Sequence, residues 1–134
     1  MKRYIILTVI LLGSLFSVFA GNPEEYAEIT FKEKEYDFGY IKEEKGKVTC
    51  EFEFENTGTK PLIIIGAISS CGCTVPDYPK RPVAPGKKGV LSVTYNPAGR
   101  PGAFKKDIRI KTNSKKRRMT LTIIGCVIPE GKDY

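Results

Sequence analysis

The sequence predicts an all-β protein, an antiparallel β-sandwich of about seven short strands. Several segments alternate apolar and polar residues with a period of two, which is typical of strands with one buried face. Turn signals that contain Gly, Asn and Pro separate these segments at short intervals. No segment repeats its apolar residues with the spacing of an amphipathic helix. With 134 residues, the chain is long enough for one domain that buries a core.

The clearest strand covers residues 47–56, in which Cys50, Phe52 and Phe54 alternate with glutamates before an Asn-Thr-Gly turn signal. Further strands are predicted at residues 29–31, 36–41, 61–68 and 90–95, and in the two arms of a final hairpin, 104–111 and 119–127. The inward positions predict a core of Val48, Phe52, Phe54, Leu62, Ile64, Leu91, Val93, Tyr95, Phe104, Ile108, Ile110, Leu121 and Ile123.

The first 20 residues have the pattern of a secretory signal peptide. Lys2 and Arg3 precede an apolar run over residues 4–16, and small residues at Val18 and Ala20 predict cleavage before Gly21. A membrane anchor is the alternative, but the run is shorter than the roughly 20 apolar residues that cross a bilayer. We therefore expect residues 21–134 to form one exported domain, periplasmic or secreted, with no transmembrane segment.

A segment with proline at every third position, from Pro76 to Pro85, follows the strand at residues 61–68. Its rings could line one side of a polyproline II helix and bind an aromatic groove. The favoured interpretation is an edge segment, because proline withholds N–H donors and so blocks pairing between sheets.

Charge is distributed unevenly along the chain, whose formal net charge is +7. Residues 21–59 carry 5 lysines and 11 acidic residues, whereas residues 60–134 carry 15 basic and 4 acidic residues. The chain contains no histidine, so the usual base of a serine or cysteine hydrolase is missing. A hydrolase is therefore the least expected class of function, and no cofactor is expected.

The four cysteines, Cys50, Cys71, Cys73 and Cys126, all follow the predicted cleavage position. Exported proteins fold where thiols oxidise, and an even number of cysteines suits structural disulfides, for which three complete pairings are possible. A Cys-Gly-Cys bridge would instead close a small ring and favour redox activity. Thiolates also suit Cu(I) or zinc, but the spacing does not match paired Cys-x-x-Cys motifs, and no metal site is expected.

Several motifs resemble the secreted bacterial family known as domain of unknown function 1573, DUF1573. The resemblance rests on Phe52-Glu53-Phe54-Glu55-Asn56-Thr57-Gly58, Pro61-Leu62-Ile63-Ile64, Ser70-Cys71-Gly72-Cys73-Thr74, Pro82-Val83-Ala84-Pro85-Gly86, Val93-Thr94-Tyr95 and Ile123-Ile124-Gly125. The Ser-Cys-Gly-Cys-Thr string is the most specific of them. The family is similar to the immunoglobulin-like sandwiches of the ASH, MSP and HYDIN group, which implies a binding or scaffolding module. Cys50 and Cys126 are additions to the Cys-Gly-Cys pair that family members typically carry.

An immunoglobulin-like topology would bring the four cysteines to one end of the sandwich, which we call the thiol pole. We expect Cys71 and Cys73 to be oxidised and within bridging reach of Cys50 or Cys126. Cys50 is the favoured partner because it shares the inward face with Phe52, and a local bridge between Cys71 and Cys73 is the competing outcome.

The opposite end would collect basic side chains, and we call it the basic pole: Lys60, Lys80, Arg81, Lys87, Lys88, Lys115, Lys116, Arg117 and Arg118. Lys87 and Lys88 are expected to lie close to the hairpin tip at residues 115–118 and to bind anions with it. Anionic glycan, lipid head groups or an acidic protein surface fit an exported protein, whereas nucleic acid does not. The alternative is that these charges only aid solubility.

Together these features predict a non-enzymatic, extracytoplasmic binding or scaffolding module of the cell envelope. The alternative function is a thiol redox or soft-metal-handling protein that uses the Cys-Gly-Cys motif.

Overall fold

Eight strands form two four-stranded sheets in the computed structural model, which describes residues 21–133. The strands are β1 (Ile29–Phe31), β2 (Glu35–Lys42), β3 (Val48–Asn56), β4 (Ile64–Ser69), β5 (Thr74–Asp77), β6 (Lys88–Tyr95), β7 (Gly102–Thr112) and β8 (Arg118–Ile128). A 3-10 turn at Glu43–Lys45 joins β2 to β3. The all-β sandwich prediction is confirmed. The predicted signal peptide at residues 1–20 lies outside the described residues.

One sheet has the strand order β1-β3-β6-β5 and the other β2-β8-β7-β4; we call them the β3–β6 sheet and the β7–β8 sheet. Every strand pair is antiparallel except β2 with β8, which is parallel and lies at one edge of its sheet. The unpredicted eighth strand is β5, which contains Pro76 and lies at the edge of its sheet. This position agrees with the interpretation of Pro76 as an edge residue.

The core lies between the sheets and confirms the predicted set, with two residues less buried than the rest. Phe52 and Leu91 pair across β3 and β6, and Ile108 and Leu121 pair across β7 and β8; all four are at most 2% exposed. Val48 and Phe104 are half-buried and pack against this cluster. The ring of Phe104 stacks on Tyr95 with centroids 4.0 Å apart, which closes the core near the thiol pole. Buried residues beyond the predicted set include Ala27, Ile29, Phe31, Ile41, Cys50, Cys73, Val127 and Ile128.

Asn56, a fully buried polar residue, organises the opposite end of the core. Its side-chain amide donates to the carbonyl oxygens of Lys60 and Val83 at 2.7 and 2.8 Å, and its side-chain oxygen accepts from the Gly58 N–H at 3.0 Å. The Asn-Thr-Gly turn needs its glycine, because a Cβ on Gly58 would lie 2.3 Å from the carbonyl oxygen of Tyr26. The Asn56 side chain thus joins the end of β3 to two loops, and the missing Cβ of Gly58 lets the N-terminal segment pass close by.

Candidate functional site

The four cysteines lie toward the same end of the sandwich, on different elements. Cys50 is near the start of β3 opposite Val93, and Cys126 is near the end of β8 opposite Tyr40. Cys71 and Cys73 lie in the turn between β4 and β5, where the Asn96 N–H donates to the Cys73 carbonyl oxygen at 2.8 Å. The end where β3 begins is also where β6 and β8 end, so the thiol pole is a feature of the observed topology.

Cys71 and Cys73 have their sulfur atoms 2.06 Å apart, at bonding distance, and their Cα atoms 5.2 Å apart. The turn is held by the Cys73 N–H, which donates to the Cys71 sulfur at 3.2 Å, and by the Thr74 N–H, which donates to the Cys71 carbonyl oxygen at 3.1 Å. Cys73 is 5% exposed, Cys71 is half-buried and Gly72 is exposed. One sulfur atom of the pair therefore belongs to the core, and the other lies nearer the surface.

Cys50 and Cys126 are free, so the structure favours the local bridge and not the expected partner at Cys50. The reason lies in strand order, because β6 separates β3 from β5. Strands two places apart in a sheet are separated by about 10 Å, whereas bridged Cα atoms usually lie within about 7 Å. Cys126 is also unsuited as a partner, because it lies on the other sheet and alternates with the inward residues Gly125 and Val127.

Cys50 has the environment of a structural thiol. It is 4% exposed, and burial raises the pKa of its thiol from 9.0 to about 11. A thiol with this pKa stays protonated at neutral pH and is a poor nucleophile. Within residues 21–133, no group of three Cys, Asp or Glu side chains is arranged to hold a metal ion.

The basic pole also exists, but several of its charges are paired. Lys87 and Lys88 lie at the start of β6, and residues 115–118 form the tip of the β7–β8 hairpin, so the predicted anion-binding residues lie at the same end on different sheets. The Lys115 ammonium lies 3.4 Å from the Glu24 carboxylate and 4.1 Å from the ring centre of Tyr26. The Lys88 ammonium lies 3.6 Å from the Glu53 carboxylate. These contacts reduce the positive charge that the pole offers to an anion.

A feature that sequence reasoning missed is an exposed aliphatic patch on β4, which we call the β4 patch and define as Ile65, Gly66 and Ile68. Ile65 is 53% exposed and Ile68 is 66% exposed. The pairing of β4 with β7 aligns Ile64 with Thr112 and Gly66 with Lys111, so Ile65 is an extra residue between them. This β-bulge lets two successive residues face outward. The Ile63-Ile64-Ile65 run could have indicated an exposed aliphatic residue, because successive apolar residues of a strand cannot all face the core.

The β4 patch forms one side of a groove of about 370 Å³, whose other lining residues include Arg109, Lys111 and Arg118. A Cβ built on Gly66 would meet no atom within 4 Å, so open space lies beside this residue. No helix among the described residues is long and apolar enough to span a membrane.

The fold and this surface define a small all-β sandwich with a cysteine pair at one end and an aliphatic patch on one edge. The sequence profile described as "Protein of unknown function (DUF1573)" matches residues 29–127. The chain belongs to the DUF1573 family, as the resemblance implied. No curated protein sequence matches the chain.

Similar solved structures include a protein of unknown function from Porphyromonas gingivalis W83, with a TM-score of 0.68 and 15% identity over 81% of this chain. The Vibrio cholerae VesB protease has a TM-score of 0.60 and 16% identity over 75% of this chain. The YadV chaperone has a TM-score of 0.54 and 12% identity over 79% of this chain. The matched region spans 51%, 32% and 54% of those three chains respectively. At these identities the likeness shows a shared fold.

Proposed function

We propose that this chain is a non-enzymatic binding module that works outside the cytoplasm, in the cell envelope. The observation that carries the proposal is the β4 patch, where large aliphatic side chains are exposed on a strand at the edge of a sheet. Clustered exposed apolar side chains on a small protein mark interaction sites more often than isolated ones do. Location outside the cytoplasm is supported by the signal-peptide pattern of residues 1–20.

Site-specific crosslinking in the native host tests this function. A photo-reactive amino acid replaces Ile68 in the β4 patch, and a matched variant carries it in place of the exposed Glu51 on the outer face of the other sheet. We expect discrete adducts with envelope proteins from position 68 and none from position 51. Absence of adducts at both positions contradicts a binding module. Recovery of the protein in the cytoplasm with residues 1–20 attached contradicts the proposed location.

A second candidate function, thiol–disulfide exchange, is favoured by the Cys71–Cys73 pair. A partner thiolate attacks the Cys71 sulfur, a partner–Cys71 bond forms, and Cys73 leaves as a thiolate. The second partner thiol then loses its proton and attacks the mixed disulfide, so that Cys71 also leaves. The partner dithiol gives up two electrons and becomes a disulfide, while this chain becomes a dithiol. The Thr74 hydroxyl lies 3.6 Å from the Cys73 sulfur, where it can donate to the departing thiolate.

Treatment of native protein with and without a mild thiol reductant, followed by alkylation after denaturation, decides whether this chemistry occurs. Without the reductant, only the free thiols Cys50 and Cys126 are alkylated. If the Cys71–Cys73 pair is redox-active, reduced glutathione raises the number of alkylated thiols by two. The same treatment of a Cys73→Ser variant should give no increase. A pair that stays oxidised under these conditions is structural. If all four thiols react in freshly purified, denatured protein before reduction, no disulfide exists and soft-metal binding becomes the better account.

A further inference from the structure

The four strands at the sheet edges are protected to different degrees against pairing with another chain. β1 has only 3 residues, β5 has 4 residues and contains Pro76 and Asp77, and β2 contains charged residues such as Glu35 and Asp37. Short length, proline and charge are the usual means by which natural sheets block their edges. β4 has 6 residues with neither charge nor proline, and its outer edge pairs with no strand among residues 21–133. β4 is therefore the edge that is open to an added strand, although its first residues carry the bulge.

The groove beside β4 carries positive charge that the described residues leave unneutralised. Arg109, Lys111 and Arg118 line it, and none of the three makes an ion pair within residues 21–133. Asp107 is the next outward residue along β7, and its carboxylate accepts from the Thr122 hydroxyl at 2.9 Å. In contrast, Lys88 and Lys115 of the basic pole are each within 4 Å of a carboxylate. The β4 groove therefore combines exposed isoleucines with unpaired cations.

We propose that β4 binds an extended segment of a partner protein, added to the β7–β8 sheet as a further strand, whose outward-facing side chains are aliphatic and acidic in turn. Backbone N–H and C=O groups of β4 would pair with the segment, its aliphatic side chains would cover Ile65 and Ile68, and its carboxylates would reach the groove cations. This inference rests on the proposed function and names the partner's chemistry. A second copy of the chain docked through β4 is disfavoured, because symmetric pairing would bring two sets of these cations together.

Peptide binding to protein expressed from the full-length gene tests the proposal. The probe is a fluorescent octapeptide with the repeat Ile-Thr-Asp-Thr, which places isoleucine and aspartate on the same face of a strand, compared with one in which lysine replaces aspartate. We expect the acidic peptide to bind at least about tenfold more tightly by fluorescence anisotropy, because like charges repel across a contact. Binding should also slow amide hydrogen exchange within residues 64–69. Equal affinity for the two peptides, or no binding of either, overturns the proposal.

Two variants locate the effect on β4. Ile68→Lys places a charge on the edge and should abolish binding, whereas Val75→Lys, at a similarly exposed position on the protected edge strand β5, should leave it unchanged. Arg109→Glu should shift preference toward the lysine peptide, a result that loss of folding cannot produce. Retention on anionic lipid vesicles that Ile68→Lys removes would assign the groove to a membrane and overturn the peptide proposal. Crosslinks at position 68 without peptide binding leave the binding module standing and refute this inference alone.

Discussion

The two poles of the sandwich are stabilised by different chemistry. At the thiol pole, Cys50 and Cys73 are buried among apolar residues, and Tyr95 stacks on Phe104. At the basic pole the central residue is the amide Asn56, which has three side-chain hydrogen bonds to the backbone of neighbouring loops. The comparison shows that one end of the core is closed by apolar packing and the other by hydrogen bonds. Mutations at the two ends should therefore have different signatures.

Phe52 lies on β3 between the two poles. The loss of stability on its substitution is the reference against which substitutions at each pole are compared. Its ring is 2% exposed, so Phe52→Ala should lower the free energy of unfolding by about 3 to 5 kcal/mol through lost burial and a residual cavity. Urea unfolding followed by circular dichroism measures the change. A loss below about 1 kcal/mol would mean that the inward face of β3 has been assigned wrongly.

Asn56→Ala tests the basic pole and should cost about 2 to 4 kcal/mol. The substitution removes all three side-chain hydrogen bonds of Asn56, although the Val83 carbonyl oxygen keeps the Leu62 N–H at 2.9 Å as a donor. Each lost hydrogen bond costs about 0.5 to 1.5 kcal/mol. Asn96→Ala is the control, since Asn96 is half-buried and its side chain accepts one hydrogen bond, from the Ala98 N–H at 3.2 Å. If the two variants unfold at the same urea concentration, Asn56 does not hold this end together.

The pH dependence of the free energy of unfolding tests the role of Cys50 at the thiol pole. Its thiol has a pKa of about 11 in the fold against 9.0 when unperturbed, so above pH 9 the unfolded chain releases this proton first. The contribution of Cys50 is complete below pH 9 and is lost as the pH rises toward 11, by at most about 3 kcal/mol in total. The measurement is the free energy of unfolding at neutral pH and across this window, for the wild type and Cys50→Ala. Parallel curves for the two proteins would show that the thiol does not titrate differently on folding.

The smallest expected effect concerns anion binding at the basic pole, since Lys115 is already paired with Glu24. Replacing Lys115, Lys116, Arg117 and Arg118 with Ser should lower the salt concentration that elutes the protein from heparin. The control removes four cations toward the thiol pole: Lys45, Lys47, Lys105 and Lys132. Equal elution of the two variants would mean that retention follows net charge and that the tip is only a solvated turn.

Local sequence pattern was sufficient for most of the sandwich and insufficient for its edges. The period-two alternation predicted β3, β6, β7 and β8, because in each strand one face is buried and the other is polar. β5 was missed since Pro76 demotes a strand, and the parallel pairing of β2 was missed because its partner β8 is distant in the chain. The bulge in β4 depends on its register against β7, which no local pattern contains.

The candidate sites show the same limit. Strand alternation was enough to bring the cysteines to one pole, but pairing depends on which strand lies between Cys50 and Cys73, and that is set by the order of strands in the sheet. The basic residues were also assigned to the correct end. The pairing of Lys115 with Glu24 depends on the course of the segment before β1, which carries no periodic signal.

The parallel pairing of β2 with β8 also constrains the order in which the chain can fold. Glu35 aligns with Thr122, so β2 leaves the ribosome long before its partner strand has been made. The β7–β8 hairpin closes over a short tip between Lys111 and Arg118 and can form as soon as it is synthesised. Closing the long loop back to β2 costs more chain entropy and comes later. Because β2 is an edge strand, this last step completes the sheet without requiring the other three strands to separate.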